Sequence, residues 1–353
     1  MSIVITGVGS YIPEVIKKNS DFLDNVFVNK DGSLIDQPNE VIVEKLKNIT
    51  GIEERRYVKK NQLTSDIATI AAQRAIEDAG INPEELDYII VGQNFGDVRD
   101  GSNQTDQVPS IAARVKHKLR IKNNSCVTYD VIFGCPGWLE GVIQAQAFIR
   151  AGMAKKCLII GAETLSRVVD PHDRDSMIFA DGAGATIIEE SDQPGGILAH
   201  ESASYTYSEA PYLNYHLSEH KEEAIKNIQY VKMSGRRIYN FALTKVPQAM
   251  KSCLDKSGRS IDDLKKIFLH QANEKMDEAM CERFYKLYDK PIPEHIMPMN
   301  IHKLGNSSVA TLPTLLDQVR KGEIENHHLE KGDLIMFASV GAGMNLNALV
   351  YQY

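Results

Sequence analysis

The chain is short of several features that define other classes of protein. Its 353 residues hold five cysteines (Cys126, Cys135, Cys157, Cys253 and Cys281), too few and too scattered for a disulfide scaffold or a CxxC metal site. It has a single tryptophan, Trp138. It has no excess of basic residues: 40 Lys+Arg against 47 Asp+Glu give a formal net charge of −7. That balance argues against a globally basic nucleic-acid binder. No apolar run reaches the about 18–20 residues that a membrane-spanning helix needs, so no span is expected. The opening MSIVITGVGSYIP has neither a basic flank nor a small-residue cleavage signal, and reads as a first strand breaking at a glycine rather than as a leader. With 43% apolar and 25% charged residues, the composition excludes collagen, low-complexity disorder and a long coiled coil. What remains is an enzyme-sized protein of a reducing compartment, most simply cytoplasmic, with chain enough for about two domains.

Strand-like and helix-like stretches alternate. Apolar runs at Ile3–Thr6, Tyr88–Val91, Cys157–Gly161, Thr186–Ile188, Ile267–Leu269, Leu334–Phe337 and Asn345–Val350 read as strands. Ser65–Ala79, Ile111–Lys118, Leu139–Ala151, Arg237–Leu254 and Glu274–Leu287 read as helices. The strand-like runs are apolar throughout, as expected of strands covered on both faces, so the fold class is α/β. The chain also resembles itself. IEDAGINPEELDYIIVGQN (Ile76–Asn94) parallels LDKSGRSIDDLKKIFLHQAN (Leu254–Asn273). PSIAARVKHKLRI (Pro109–Ile121) weakly matches SSVATLPTLLDQV (Ser307–Val319), and ADGAGATIIEE (Ala180–Glu190) matches VGAGMNLNALV (Val340–Val350). The order is kept, so the chain divides into two similar halves, 1–190 and 191–353. Two stretches interrupt the pattern: a polar loop at 92–108, and a connecting or cap segment at 191–233.

Cys135 stands in YDVIFGCPGWLEGV, where a strand meets a sharp turn at Gly134 and a helix follows. Pro136 suits the first helical position. A helix N-terminus favours a thiolate and lowers the pKa, which is the logic of a nucleophile elbow. The alternative is a small buried cysteine that caps a helix. The other four cysteines read as inert. His270 ends the apolar run KKIFL, Asn306 follows Gly305 ahead of a helical run, and Gly341-Ala342-Gly343 offers backbone N–H donors. A cysteine nucleophile needs a proton manager and a place for a developing oxyanion. Trp138 lies one helical turn beyond Cys135, where it either walls an acyl pocket or packs in the core. His216 and His220 are spaced i,i+4 but lack a third ligand, so no metal site is expected.

Taken in order, GVGSYIP, TGIEERRYV (Thr50–Val58), YDVIFGCPG, LSRVVDPHDR (Leu165–Arg174), FADGAGATII (Phe179–Ile188), HQAN at His270 and GNSS at Gly305 resemble the β-ketoacyl-(acyl carrier protein) synthase III family of condensing enzymes, in the thiolase superfamily. The resemblance covers nearly the whole chain. It implies a duplicated thiolase-like fold in five layers (α-β-α-β-α) and a homodimer. It makes Cys135, His270 and Asn306 the catalytic set, and the backbone N–H groups of Cys135 and Ala342 the oxyanion hole. The implied reaction is a decarboxylative Claisen condensation that begins fatty acid synthesis. Cys135 takes an acyl group from a thioester. His270, neutral and presenting Nε2–H, and Asn306 then stabilise the enolate that malonyl-acyl carrier protein leaves on losing carbon dioxide. No cofactor would be permanently bound; coenzyme A or acyl carrier protein phosphopantetheine thioesters are the substrates.

The resemblance also implies contacts outside this set. Arg167 matches a coenzyme contact, Arg236 lies beside the pantetheine tunnel, and Lys275 takes the principal carrier-contact position, with Arg237 and Lys232 extending the basic patch. Lys45 and Ile49 stand where the family has a tryptophan and an arginine around the adenine of coenzyme A. The 92–108 loop is longer than usual and is expected to reach across the dimer. These departures favour an alternative in which the same chemistry serves a specialised lipid, polyene or polyketide pathway with a longer or unusual acyl donor. A non-catalytic acyl-binding partner subunit is a third reading, which the intact Cys135, His270 and Asn306 oppose.

Overall fold

Strands that are apolar along their length need cover on both faces, and the chain supplies it with two sheets and three helical layers. The computed structural model describes residues 2–353. In chain order the core elements are β1 (Ser2–Tyr11), α1 (Asn39–Thr50), α2 (Thr64–Ala79), β2 (Tyr88–Gly92), α3 (Ile111–Lys118), β3 (Val127–Val131), α4 (Gly137–Arg150), β4 (Lys156–Thr164) and β5 (Asp181–Ser191). They continue with β6 (Gly196–Ser204), α5 (Gly235–Ser257), β7 (Leu264–Leu269), α6 (Glu274–Lys286), α7 (Thr311–Arg320), β8 (Leu334–Gly341) and β9 (Asn345–Gln352).

The first sheet runs β1-β5-β4-β2-β3 and the second β6-β9-β8-β7. In the first, β1–β5 and β5–β4 are antiparallel, while β4–β2 and β2–β3 are parallel. The second repeats the sense of the first three pairs in β6–β9, β9–β8 and β8–β7. The first match of the internal repeat therefore falls on β2 and β7, and its Gly-Ala-Gly match falls at the start of β5 and in the turn from β8 into β9.

The helices sort by the faces they bury. Ile67, Ala71, Ala75, Ile111 and Val115 place α2 and α3 on the outside of the first sheet. Val246, Met250, Met280 and Phe284 place α5 and α6 on the outside of the second. Leu139 and Val142 of α4 and Leu312 and Leu315 of α7 lie between the sheets, against Ile90 and Ile159 on one side and Phe268 and Phe337 on the other. The result is five layers in the order helix, sheet, helix, sheet, helix. Phe268 and Phe337 stack with centroids 5.0 Å apart, and truncating either to alanine is expected to cost about 3–5 kcal/mol. The central layer matters most for function, because α4 and α7 carry residues of both halves into one place.

Two interruptions of the pattern look different once folded. The segment 191–233 is not only a connection. Its residues Gly196–Ser204 form β6, a strand of the second sheet paired with β9. This strand escapes a search for continuous apolar runs because it sits at a sheet edge, and its GILAHESAS is only partly buried beyond Ile197. The remainder holds a small hairpin, Leu213–Leu217 with Gln229–Met233. The 92–108 loop folds back on its own chain. Its short strands Asp97–Val98 and Thr105–Asp106 pair, and Arg114 bridges Asp97 and Asp106 at 2.6 Å each. Phe95 and Val98 at its base pack with Leu165, Val168 and Phe179.

Candidate functional site

Cys135 lies where β3 gives way to α4. The helix begins at Gly137, so Pro136 is its capping residue rather than its first member. The turn requires glycine on both sides of a close contact. Gly134 has φ of 67°, and a Cβ there would lie 2.4 Å from the Ala342 nitrogen; a Cβ on Gly341 would lie 2.2 Å from the Cys135 nitrogen. The backbones of 134–135 and 341–342 are therefore pressed together, which brings the N–H groups of Cys135 and Ala342 into the same small space. Cys135 is partly exposed, whereas the other four cysteines are buried. Burial of the sulfur pushes the Cys135 thiol up to about 11, and the Ser308 hydroxyl acts against that rise. The lowered pKa expected from the helix end alone does not describe the resting site, because desolvation outweighs it.

The second half of the site comes from one short segment before and into α7. The Asn306 backbone is bonded on both sides, its N–H donating to the Ile178 carbonyl at 3.0 Å and its carbonyl accepting from the Ala180 N–H at 2.8 Å. Its side-chain Oδ1 accepts the Ser308 N–H at 2.8 Å. The two Nδ2 hydrogens find no protein acceptor among the described residues, and Asn306 lies at the wall of a cleft of about 700 Å³. Ser308 has φ of 54°, unusual for a residue with a side chain. That conformation lets its hydroxyl donate to Cys135 Sγ at 3.5 Å. Thr311 follows, with Oγ1 2.7 Å from His270 Nδ1 and donating to the Ser308 carbonyl at 3.0 Å. His270 is held at the end of β7 by its N–H to the Ala338 carbonyl, 2.9 Å. Burial lowers its pKa to about 4, so the imidazole is neutral at physiological pH.

Behind the cysteine is a further support that the sequence did not reveal. Asn94 donates through Nδ2 to Glu163 at 2.7 Å and accepts the Gly134 N–H at 3.1 Å. Glu163 is fully buried, and burial pushes its carboxyl up to about 8. The elbow turn is thus tied to β4 through an amide. Nothing in the spacing of Asn94, Glu163, Ser308 and Thr311 marks them out. The internal repeat does place Asn94 beside the chemistry, since it aligns with Asn273 of the HQAN motif.

The cleft sorts the remaining candidates. Lys45, Ile49, Arg174, Arg236, Tyr239 and Asn306 line it. Arg236 lies on this wall. Arg167 does not: its guanidinium pairs with Asp100 and donates to the carbonyls of Lys59 and Lys60 at 3.0 and 3.4 Å, which fastens the 92–108 loop. Arg174, seven residues on in the same motif, stands on the cleft wall instead. Trp138 is not on this cleft wall. It is buried between the sheets, edge-on to Phe337 at 5.7 Å, with Nε1–H donating to Thr186 Oγ1 at 3.3 Å. Lys232 is withdrawn from any basic surface by Asp170 at 2.6 Å, Asp173 at 3.3 Å and Glu219. Lys275 is exposed on the first turn of α6, between the cleft residues Asn273 and Met276. His220 stacks on His172 at 3.9 Å.

Two matched sheets with α4 and α7 between them, and chemistry gathered where those helices begin, define a thiolase-like protein. Residues 129–206 match the family described as 3-Oxoacyl-[acyl-carrier-protein (ACP)] synthase III, and residues 254–353 match its C-terminal counterpart. The chain belongs to this family. It is 33% identical to the beta-ketoacyl-[acyl-carrier-protein] synthase III of Caldanaerobacter subterraneus subsp. tengcongensis, over 99% of this chain and 97% of that protein. It is 31% identical to the synthase of the same name from Staphylococcus haemolyticus, over 100% and 99%. The crystal structure of 3-oxoacyl-[acyl-carrier-protein] synthase III from Aquifex aeolicus superimposes with a TM-score of 0.82 at 28% identity, covering 100% of both chains.

Proposed function

We propose that this chain joins an acyl group to a malonyl unit by decarboxylative Claisen condensation, the step that begins fatty acid synthesis. Cys135 attacks an acyl thioester and keeps the acyl group, with the oxyanion held by the N–H groups of Cys135 and Ala342. A malonyl thioester on acyl carrier protein then enters the cleft. Asn306 Nδ2, oriented by the Ser308 N–H on its Oδ1, and the His270 ring stabilise the enolate formed as carbon dioxide leaves. The enolate attacks the acyl-Cys135 carbon and releases a β-ketoacyl thioester. The observation that carries this reading is the segment 306–311, which contacts both Cys135 and His270 while fixing Asn306.

The pantetheine arm of coenzyme A or of the carrier protein would run along the cleft past Lys45, Arg174 and Arg236. With Lys275 these cations give an acidic carrier protein a local surface to meet on a chain whose net charge is −7. We take the active form to be a homodimer. In its support, β3 is an unpaired edge strand of the first sheet, and Ile132 just beyond it is 63% exposed. All five cysteines are free, which suits a reducing compartment such as the cytoplasm.

Intact-mass spectrometry after incubation with a panel of acyl thioesters tests the reading. The expected result is one acyl adduct, mapped by peptide digestion to Cys135, whose mass reports the preferred acyl group. The absence of any adduct would overturn it.

A further inference from the structure

Glu163 is a buried carboxyl that the reaction above leaves unused. It stands on β4 two residues after Gly161, and alternate residues of a strand share a face. A Cβ on Gly161 would lie 2.2 Å from the Val309 carbonyl oxygen and 3.2 Å from Trp138 Cβ, so this face of β4 meets α4 and the segment before α7. Glu163 therefore points into the layer that holds Cys135. Its link to the elbow runs through groups whose hydrogen-bond sense is fixed by chemistry. The Gly134 N–H can only donate, so the Asn94 atom 3.1 Å from it is Oδ1. The other end of that amide is then Nδ2, which can only donate, and it meets Glu163 Oε2 at 2.7 Å. Glu163 Oε1 faces the Asn94 backbone N–H at 3.5 Å. On the opposite side, the carbonyl of the Phe133–Gly134 peptide accepts from Asn345 Nδ2 at 3.4 Å, and the same nitrogen donates to the Ala342 carbonyl at 2.9 Å. The next peptide, which carries the Cys135 N–H, has its carbonyl on the Gly137 N–H at 3.0 Å.

We propose that Glu163 is a positioning residue: acting through Asn94, it clamps the Phe133–Gly134 peptide and so sets where the Cys135 N–H points relative to the Ala342 N–H. This rests on the condensation reading above and assigns what aligns its oxyanion site. Gly134, with φ of 67°, has no side chain to restrict its torsions, so the peptide before it must be held from outside. Its N–H is held from the first half of the chain by Asn94, and its carbonyl from the second half by Asn345. Asn94 can do this only with Oδ1 toward Gly134; turned over, it would set Nδ2 against the Gly134 N–H, donor against donor. Glu163 supplies the acceptor that keeps Nδ2 on the other side. It does so whether the carboxyl is ionised or carries a proton, because a protonated carboxyl keeps acceptor lone pairs. Glu163 touches no reacting atom. Its effect reaches the chemistry through geometry, since a misplaced N–H donor stabilises the developing oxyanion less.

Two variants of the whole protein test the clamp. Glu163→Gln replaces one acceptor oxygen with an NH2 group that has no lone pair to offer, so either Asn94 Nδ2 or the Asn94 backbone N–H loses its acceptor. In single turnover this should slow acylation of Cys135 roughly tenfold to a hundredfold, while alkylation by iodoacetamide, which needs no oxyanion site, stays within about twofold of wild type. Glu163→Gln combined with Asn94→Asp exchanges the amide and the carboxyl. The carboxylate introduced at position 94 then accepts both the Gly134 N–H and the new NH2 group, and most of the lost acylation rate should return. Exchange of the Gly134 amide with deuterated solvent, followed by NMR of 15N-glycine-labelled protein, should be about fivefold faster in Glu163→Gln and slow again in the double variant. Acylation at the wild-type rate in Glu163→Gln overturns the proposal. So does alkylation slowed as much as acylation, a double variant no faster than the single one, or unchanged Gly134 exchange. A wild-type protein whose Cys135 accepts no acyl group would defeat the condensation reading, and the exchange series would then decide the clamp by itself.

Discussion

The hydroxyl of Ser308 donates to the sulfur of Cys135 across 3.5 Å, joining residues 173 positions apart. This side-chain contact draws the thiol toward its reactive form, against the burial that holds it protonated. Ser308→Ala should slow alkylation of Cys135 by iodoacetamide roughly fivefold, corresponding to about 1 kcal/mol of lost hydrogen bonding. The rate is read by peptide mass spectrometry, and no change would mean that the contact does not act on the sulfur.

The pH dependence of the same alkylation distinguishes burial from the helix end. A thiol pushed up to about 11 is almost wholly protonated at neutrality. Its alkylation rate should climb about tenfold per pH unit from pH 7 to pH 9, because only the thiolate reacts. A plateau that begins near pH 7 would show the field of α4 prevailing over desolvation.

His270 predicts a change in stability of defined sign. Its folded-state pKa lies near 4, below the unfolded 6.5, so between these values the unfolded chain binds the extra proton. Stability from this group is therefore complete above about pH 6.5 and is lost as the pH falls toward 4, by up to about 3 kcal/mol. Chemical denaturation at pH 7 and pH 4.5 should show a smaller loss in His270→Gln than in wild type. Matching losses in the two proteins would remove His270 from the account.

The close approach of two backbones at the site leaves no room for a methyl group. Gly341→Ala would put a Cβ 2.2 Å from the Cys135 nitrogen. Acyl-enzyme formation should fall below detection, with a loss of stability of roughly 1–3 kcal/mol from overpacking. Circular dichroism and thermal melting check that the fold survives. A variant that acylates at the wild-type rate would show that the oxyanion site does not depend on this contact.

Lys275 offers a test of the carrier surface. Lys275→Glu reverses a charge that is exposed beside the cleft and makes no ion pair among the described residues. It should raise the KM for malonyl-acyl carrier protein several-fold, mainly through slower association at low salt. Acylation from a small thioester should be unaffected. Unchanged carrier kinetics would move the docking surface elsewhere.

Much of the layout was readable before folding because it depends on local pattern. Continuous apolar runs marked β2, β4, β7, β8 and β9, and helix periodicity marked α2 through α7. Two of the three repeat matches fall on corresponding strands, β2 with β7 and β5 with the approach to β9, whereas the match of 109–121 to 307–319 pairs α3, outside the first sheet, with α7, between the sheets. Failures had equally local causes. The edge strand β6 was missed because a strand with one shallow face lacks a continuous apolar run. In LSRVVDPHDR the sequence shows two arginines, Arg167 and Arg174, but cannot say that the first turns to Asp100 and the second to the cleft. For Trp138, helical spacing gives one turn from Cys135 without saying which face meets Phe337.

By itself, the sequence determined the layered α/β class, the duplication and the positions of Cys135, His270 and Asn306, since these follow from periodicity and from motifs a few residues long. Only the tertiary structure decided how those residues are supported. Ser308, Thr311, Asn94 and Glu163 act through contacts spanning 40 to 173 residues of chain. The upward push on the Cys135 thiol is likewise a product of tertiary structure, because it comes from burial of the sulfur. A helix end is visible in the sequence, but the desolvation that outweighs it exists only once α4 and α7 close around the sulfur.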